Sequence, residues 1–138
     1  MRLAAFALLL LAGCSRPGGS GPVDLALGED ECALCRMIIS ERKYAAQARL
    51  SPLAVEKFDD LGCLARRLAK GVSASEIWVV DETTGAWIDG RTAHYARAEN
   101  HKTPMASGLA AFAKPDEATA FAGKLAGFVI VSVAIAIK

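Results

Sequence analysis

The sequence predicts an α+β protein made of two small ββαβ lobes with mainly antiparallel strands. Helical spacing of apolar residues occurs over 59–70 and again over 115–125, among a larger number of short strand-like runs. Two helices are too few for a βαβ series. The stretch from Phe58-Asp59 through the first helix to Gly71 and the Ile77 strand is matched by Phe112-Ala113 through the second helix to Gly127 and the last strand. Recurrence of one order of elements marks a duplicated supersecondary unit.

Residues 23–27 read as a short extended entry, and Gly28-Glu29-Asp30-Glu31 as an acidic turn. Met37-Ile38-Ile39-Ser40 begins a strand, 44–50 is the next, and 53–58 follows the break at Ser51-Pro52. In the first helix Leu61, Leu64, Ala65 and Leu68 share one face, Asp59 and Asp60 are available to cap its start, and Gly71 ends it. Ile77-Trp78-Val79-Val80 is a buried strand, Thr83-Thr84-Gly85 a hairpin turn and 86–89 the return strand. His94-Tyr95-Ala96 belongs to another strand, and 109–112 precedes the second helix. There Pro115 suits the first turn, Asp116 and Glu117 complement the dipole, and Ala118, Phe121, Ala122 and Leu125 form the apolar face. After Gly127, residues 128–137 form a final strand with Val129, Val131, Val133, Ile135 and Ile137 on one face. The opposite face, Phe128, Ile130, Ser132, Ala134 and Ala136, is also mainly apolar, so such a strand has to be covered.

The N-terminus is of a different character. Arg2, the apolar run 3–11 and the small residues before Cys14 have the form of an export signal, too short to span a bilayer as a helix. Leu11-Ala12-Gly13-Cys14 resembles a bacterial lipobox, with Cys14 as the lipid-modified first residue of the mature chain; an ordinary signal peptide cut elsewhere is the plainer alternative. The expected organisation is a signal peptide over 1–13, a lipidated cysteine and flexible tether over 14–28, and one domain over 29–138, with halves of roughly 29–82 and 83–138. The localisation expected is the bacterial cell envelope, facing the periplasm and held at the membrane by acyl chains.

Without Arg2 the chain carries fifteen basic and fifteen acidic residues. That balance supplies no field to gather nucleic acid. Neither a Ser-His-Asp arrangement nor a phosphate-cradling glycine loop is evident, which leaves hydrolytic and nucleotide chemistry without support. Apart from Cys14, the cysteines are Cys32, Cys35 and Cys63. An odd number in an oxidising compartment leaves at least one thiol free, and metal binding would give it a use.

The chemistry centres on Glu31-Cys32-Ala33-Leu34-Cys35-Arg36-Met37, two thiols and a thioether in six consecutive positions. Soft sulfur donors favour Cu(I), whereas a zinc site has no use for a methionine. The blander readings are a redox dithiol, half of a zinc site, a local disulfide, and Met37 as a gap-filling core residue. A second soft donor is available at Met105, where Pro104 stiffens the loop and Ala106-Ser107-Gly108 permit close approach, though a core methionine is the plainer role there too.

Cys32-Ala-Leu-Cys35-Arg-Met37-Ile-Ile, Phe58-Asp-Asp-Leu-Gly-Cys63, Val80-Asp81, Trp87-Ile88-Asp89, Ala93-His94-Tyr95 and Thr103-Pro-Met105-Ala-Ser-Gly108 resemble, in order, the NosL family of copper-binding lipoproteins. The resemblance implies a non-enzymatic periplasmic Cu(I) chaperone that assists maturation of nitrous oxide reductase through an ABC-type accessory complex. It implies a duplicated ββαβ fold similar to part of organomercurial lyase. By matching position it makes Cys35, Met37 and Met105 copper ligands, with Cys32 as a further one. Ala106 stands where the family usually has glycine, and the apolar end from Gly127 to Lys138 departs from the family's more polar endings.

Two rivals use the same cysteines. A thiol-disulfide oxidoreductase would work through the Cys32/Cys35 pair, and a structural zinc module would combine Cys32, Cys35, Cys63 and one histidine. His94, in a strand, and His101, in a charged loop, are expected in structural or solvated roles, and Cys63 as a small core residue.

Overall fold

The computed structural model describes residues 19–130. The signal segment, Cys14 and the chain beyond 130 lie outside the described residues.

The first unit comprises β1 (Ala46–Ser51), β2 (Ala54–Phe58), α1 (Leu61–Ala69) and β3 (Glu76–Val80), extended by β4 (Trp87–Asp89). The second comprises β5 (His94–Arg97), β6 (Leu109–Phe112), α2 (Pro115–Lys124) and β7 (Phe128–Ile130). Sheet order is β2-β1-β3-β4 in the first and β6-β5-β7 in the second, with every strand pair antiparallel. In both units the first strand is central and the helix connects the two strands that flank it. The duplication expected from sequence is therefore present in topology. Because β4 pairs with β3, membership of the first sheet runs on to Asp89, past the boundary placed at 82.

The hairpin of β1 and β2 forms where Ser51-Pro52 interrupts the chain, since proline cannot donate to a ladder. Asp60 ends β2's run and starts α1: its side chain accepts from the Gly62 N–H at 2.6 Å, satisfying one of the donors a helix start leaves free. α2 relies on Pro115 in its first turn and on Asp116 and Glu117.

One buried cluster runs through both units, including Phe58, Leu64 and Val79 from the first and Tyr95, Leu109 and Ile130 from the second. A smaller one lies under α2, where Ala96, Ala110, Phe112, Ala118 and Ala122 meet Phe121. Buried Asp81 also joins the units, accepting from the N–H groups of Thr83 at 2.8 Å and Ala113 at 3.3 Å, beside a Glu82 N–H bond to the Ala111 carbonyl at 2.8 Å.

Residues 21–28, read as part of a flexible tether, are bonded to the first unit. The buried side chain of Gln47 accepts from the Val23 N–H at 2.8 Å and donates to the Val23 carbonyl at 2.7 Å. Glu76 accepts from the Gly21 N–H at 2.9 Å, and Arg49 donates to the Gly21 carbonyl at 2.7 Å. A buried amide must find partners, and Gln47 finds both on one passing residue, which fixes the entry strand. Of the final strand, Ile130 is buried while Phe128 and Val129 are exposed, 57% and 45% respectively.

His101 is not simply solvated. Its ring stands edge-on to Phe121 with centroids 5.0 Å apart, and its Nε2 is buried without a hydrogen-bond partner among the described residues. Burial lowers its pKa below the usual 6.5, with Glu82 and Asp60 opposing and Lys43 assisting. The unfolded chain therefore takes up the proton first, so the contribution to stability is complete above pH 6.5 and is lost as pH falls below it. His101→Phe should keep stability within about 1 kcal/mol at pH 7.5, since an apolar ring replaces an unpaired polar one, and should flatten the acid-side slope in urea titrations.

Candidate metal centre

Residues 32–37 form a tight turn. The Cys32 N–H donates to the Met37 carbonyl at 2.8 Å, and the Arg36 N–H to the Cys32 carbonyl at 3.0 Å, with Arg36 itself in the left-handed region at φ 67°. An Ala33 N–H bond to the Lys57 carbonyl, 2.8 Å, holds the turn against β2. The strand expected to begin at Met37 is an isolated bridge between Glu31 and Ile38.

This turn faces the start of α1. The Sγ atoms of Cys32, Cys35 and Cys63 and a carboxylate oxygen of Asp59 all lie within 4.8 Å of one another. Cys32, Asp59 and Cys63 are buried, and Cys35 is half-buried, its Sγ–H donating to Asp59 Oδ1 at 3.4 Å. Cys63 occupies the first turn of α1, and helical side chains lean toward the N-terminus, which aims its sulfur back at the loop.

Met105 is fastened beside this group. Its N–H donates to Asp60 Oδ2 at 2.9 Å, and its side chain packs against the buried cluster that contains Cys32 and Cys63. Met37 is 58% exposed, past the thiols at the outer end of the turn. Cys32 and Cys35 thus come together, Met105 is anchored alongside, and Met37 stands at the surface. Cys63 is the small core residue expected, and its sulfur also joins the donor group. Asp59 is a correction to the capping role suggested for it: Asp60 alone caps α1, leaving Asp59 to face the thiols. Two adjacent aspartates before a helix are a usable signal, because only one can occupy the cap position. Neither histidine belongs to this group; the fourth group that the zinc reading assigned to histidine is a carboxylate.

Proximity redistributes the protons. Cys32 is drawn down to about 4, chiefly by a hydrogen bond from Cys63, against the effect of burial. Cys63 is pushed up, first by Cys32 and then by burial. Asp59 is pushed up to about 6 by burial and by the adjacent Cys32, and burial raises Cys35 as well. At neutral pH Cys32 and Asp59 carry the group's negative charge, while Cys35 and Cys63 hold on to their protons. A cation entering as thiolate complex must displace them. Its apparent affinity should therefore rise with pH by about tenfold per unit for each proton displaced, read from competition titrations between pH 6 and 8.

Two ββαβ units holding three thiols and a carboxylate at a helix start define a small α+β protein with a site suited to a soft metal ion. The family model described as NosL matches residues 22–136, and the chain belongs to the NosL family. Its fold is similar to the crystal structure of the copper chaperone NosL from Shewanella denitrificans, with a TM-score of 0.67 at 21% identity, over 83% of this chain and 92% of that one. A comparison with curated proteins returned no significant match. No helix among the described residues is long and apolar enough to cross a membrane. The Cys32/Cys35 turn opens no helix, the setting a redox pair of that spacing ordinarily has.

Proposed function

We propose that this protein is a non-enzymatic Cu(I) chaperone, anchored through lipid on Cys14 at the periplasmic face of the membrane, that assists copper-site assembly in nitrous oxide reductase through an ABC-type accessory complex. The observation that carries the copper reading is the convergence of sulfur from distant positions: Cys32 and Cys35 from one turn, Cys63 from α1, and Met105 anchored to the same helix start. Membership of the NosL family and the fold shared with a copper chaperone of that family support it. The envelope address and the reductase rest on the family resemblance and on the lipobox-like residues before Cys14.

Cu(I) is cargo here. Cys35 is the reachable thiolate donor, with Cys32 beside it and Met105 and Met37 as neutral thioethers. Exposed Met37 is the first donor an acceptor can displace, so transfer proceeds by ligand exchange without releasing the ion. The test is titration of the reduced protein with Cu(I) against a chelator, together with copper absorption spectroscopy. One ion per chain in a sulfur environment, weakened by Met105→Ala, is expected; absence of binding, or an oxygen and nitrogen environment, defeats the reading. The carboxylate of Asp59 keeps one rival in view, because three thiolates and a carboxylate also suit zinc. Zinc that survives copper challenge, and whose removal unfolds the protein, would favour that rival.

A further inference from the structure

We propose that Cys32 and Cys63 form a reversible disulfide within this site, leaving Cys35 as its lone thiol. Three cysteines in one cluster cannot all pair, and their surroundings differ. Cys32 and Cys63 are both fully buried in the same core cluster. Cys35 is half-exposed and turned toward Asp59. The three sulfurs lie within 4.8 Å of one another, and a disulfide of about 2 Å needs a side-chain rotation that brings two of them closer. The Cys32–Cys63 bond would staple the sulfur turn to the first turn of α1.

Graded exposure also supplies a route for oxidation by a protein disulfide of the thiol-exchange class. Cys35 thiolate attacks one sulfur of that disulfide, forming a mixed disulfide and expelling the other as thiolate. Cys32 thiolate attacks the Cys35 sulfur and expels the donor's second thiolate. Cys63 thiolate then attacks the Cys32 sulfur and returns Cys35 to its thiol form. In sum, two electrons pass from Cys32 and Cys63 to the donor, which leaves as a dithiol after taking the Cys63 proton and one from solvent. Resting on the copper reading, the consequence is selectivity. Reduced, the site offers three thiolates and a carboxylate, which Cu(I) and zinc both accept; oxidised, it gives up Cys32 and Cys63 and offers Cys35 with the thioethers, a set that favours Cu(I) over zinc.

The full chain, exported and purified without reductant, is alkylated with N-ethylmaleimide, digested with trypsin and mapped by tandem mass spectrometry, whose fragment ions tell Cys32 from Cys35 on the one tryptic peptide that holds both. A bridge from the peptide holding Cys32 to that holding Cys63, with the alkyl group on Cys35, is the expected result. Three alkylated thiols, a Cys32–Cys35 bridge or a Cys35–Cys63 bridge overturns the proposal. Oxidation of the folded, reduced protein by oxidised glutathione should slow at least tenfold in Cys35→Ser, and an unchanged rate removes the relay. Zinc affinity should fall at least a hundredfold on oxidation while Cu(I) affinity falls less; equal losses remove the selectivity. Peptide mapping does not depend on copper, so failure of the chaperone reading would show in the titrations alone.

Discussion

Asp60→Ala is expected to lower unfolding free energy by about 3 kcal/mol in urea denaturation, adding a lost helix cap to buried N–H groups left without an acceptor. Asp60 is fully buried and its two carboxylate oxygens serve different donors, Oδ1 taking the Gly62 N–H at 2.6 Å and Oδ2 the Met105 N–H at 2.9 Å. The variant should also bind Cu(I) more weakly although no proposed ligand has been removed, because Met105 loses its anchor. Asp60→Asn separates the two effects. Its single carbonyl can keep the cap, while its amide cannot accept from Met105, so stability should recover more than affinity does. Equal recovery of both would show that the Met105 loop is positioned by something other than this bond.

Cys35→Ser should cost on the order of a hundredfold or more in Cu(I) affinity, at or beyond the upper end of what losing an outer-shell partner costs a metal site. The substitution is nearly isosteric and retains a donor for Asp59 Oδ1, so the far-ultraviolet circular dichroism should not change. What changes is the ligand, from a thiol that can ionise to a hard hydroxyl. Of the three cysteines, Cys35 is the one solvent reaches. Binding equal to the parent would leave the site with no accessible thiolate and remove the basis of the carrier mechanism.

The fold was legible because its signals are local. Leu61, Leu64, Ala65 and Leu68 mark one face of α1, Pro115 with Asp116 and Glu117 opens α2, and Ser51-Pro52 separates β1 from β2. Pairing was legible only where a turn announces it, as Thr83-Thr84-Gly85 does for β4 returning beside β3; nothing local says that Gln47 captures residue 23 from the segment read as a tether. Clustering of Cys32 and Cys35 could be read from their spacing. Cys63 could not, because in a single sequence a buried cysteine on a helix has an ordinary structural role, and Asp59 showed only as one aspartate more than a helix cap needs. Only the angle at which α1 meets the sulfur turn puts them to use.

The grip of Glu76 and Arg49 on Gly21 shortens the leash. With acyl chains on Cys14, as proposed above, the seven peptide steps from it to that clamp would reach at most about 25 Å. The folded body would then ride within roughly one of its own widths of the lipid headgroups, able to roll but unable to climb. Delivery would be confined to acceptors whose receiving surface lies equally low.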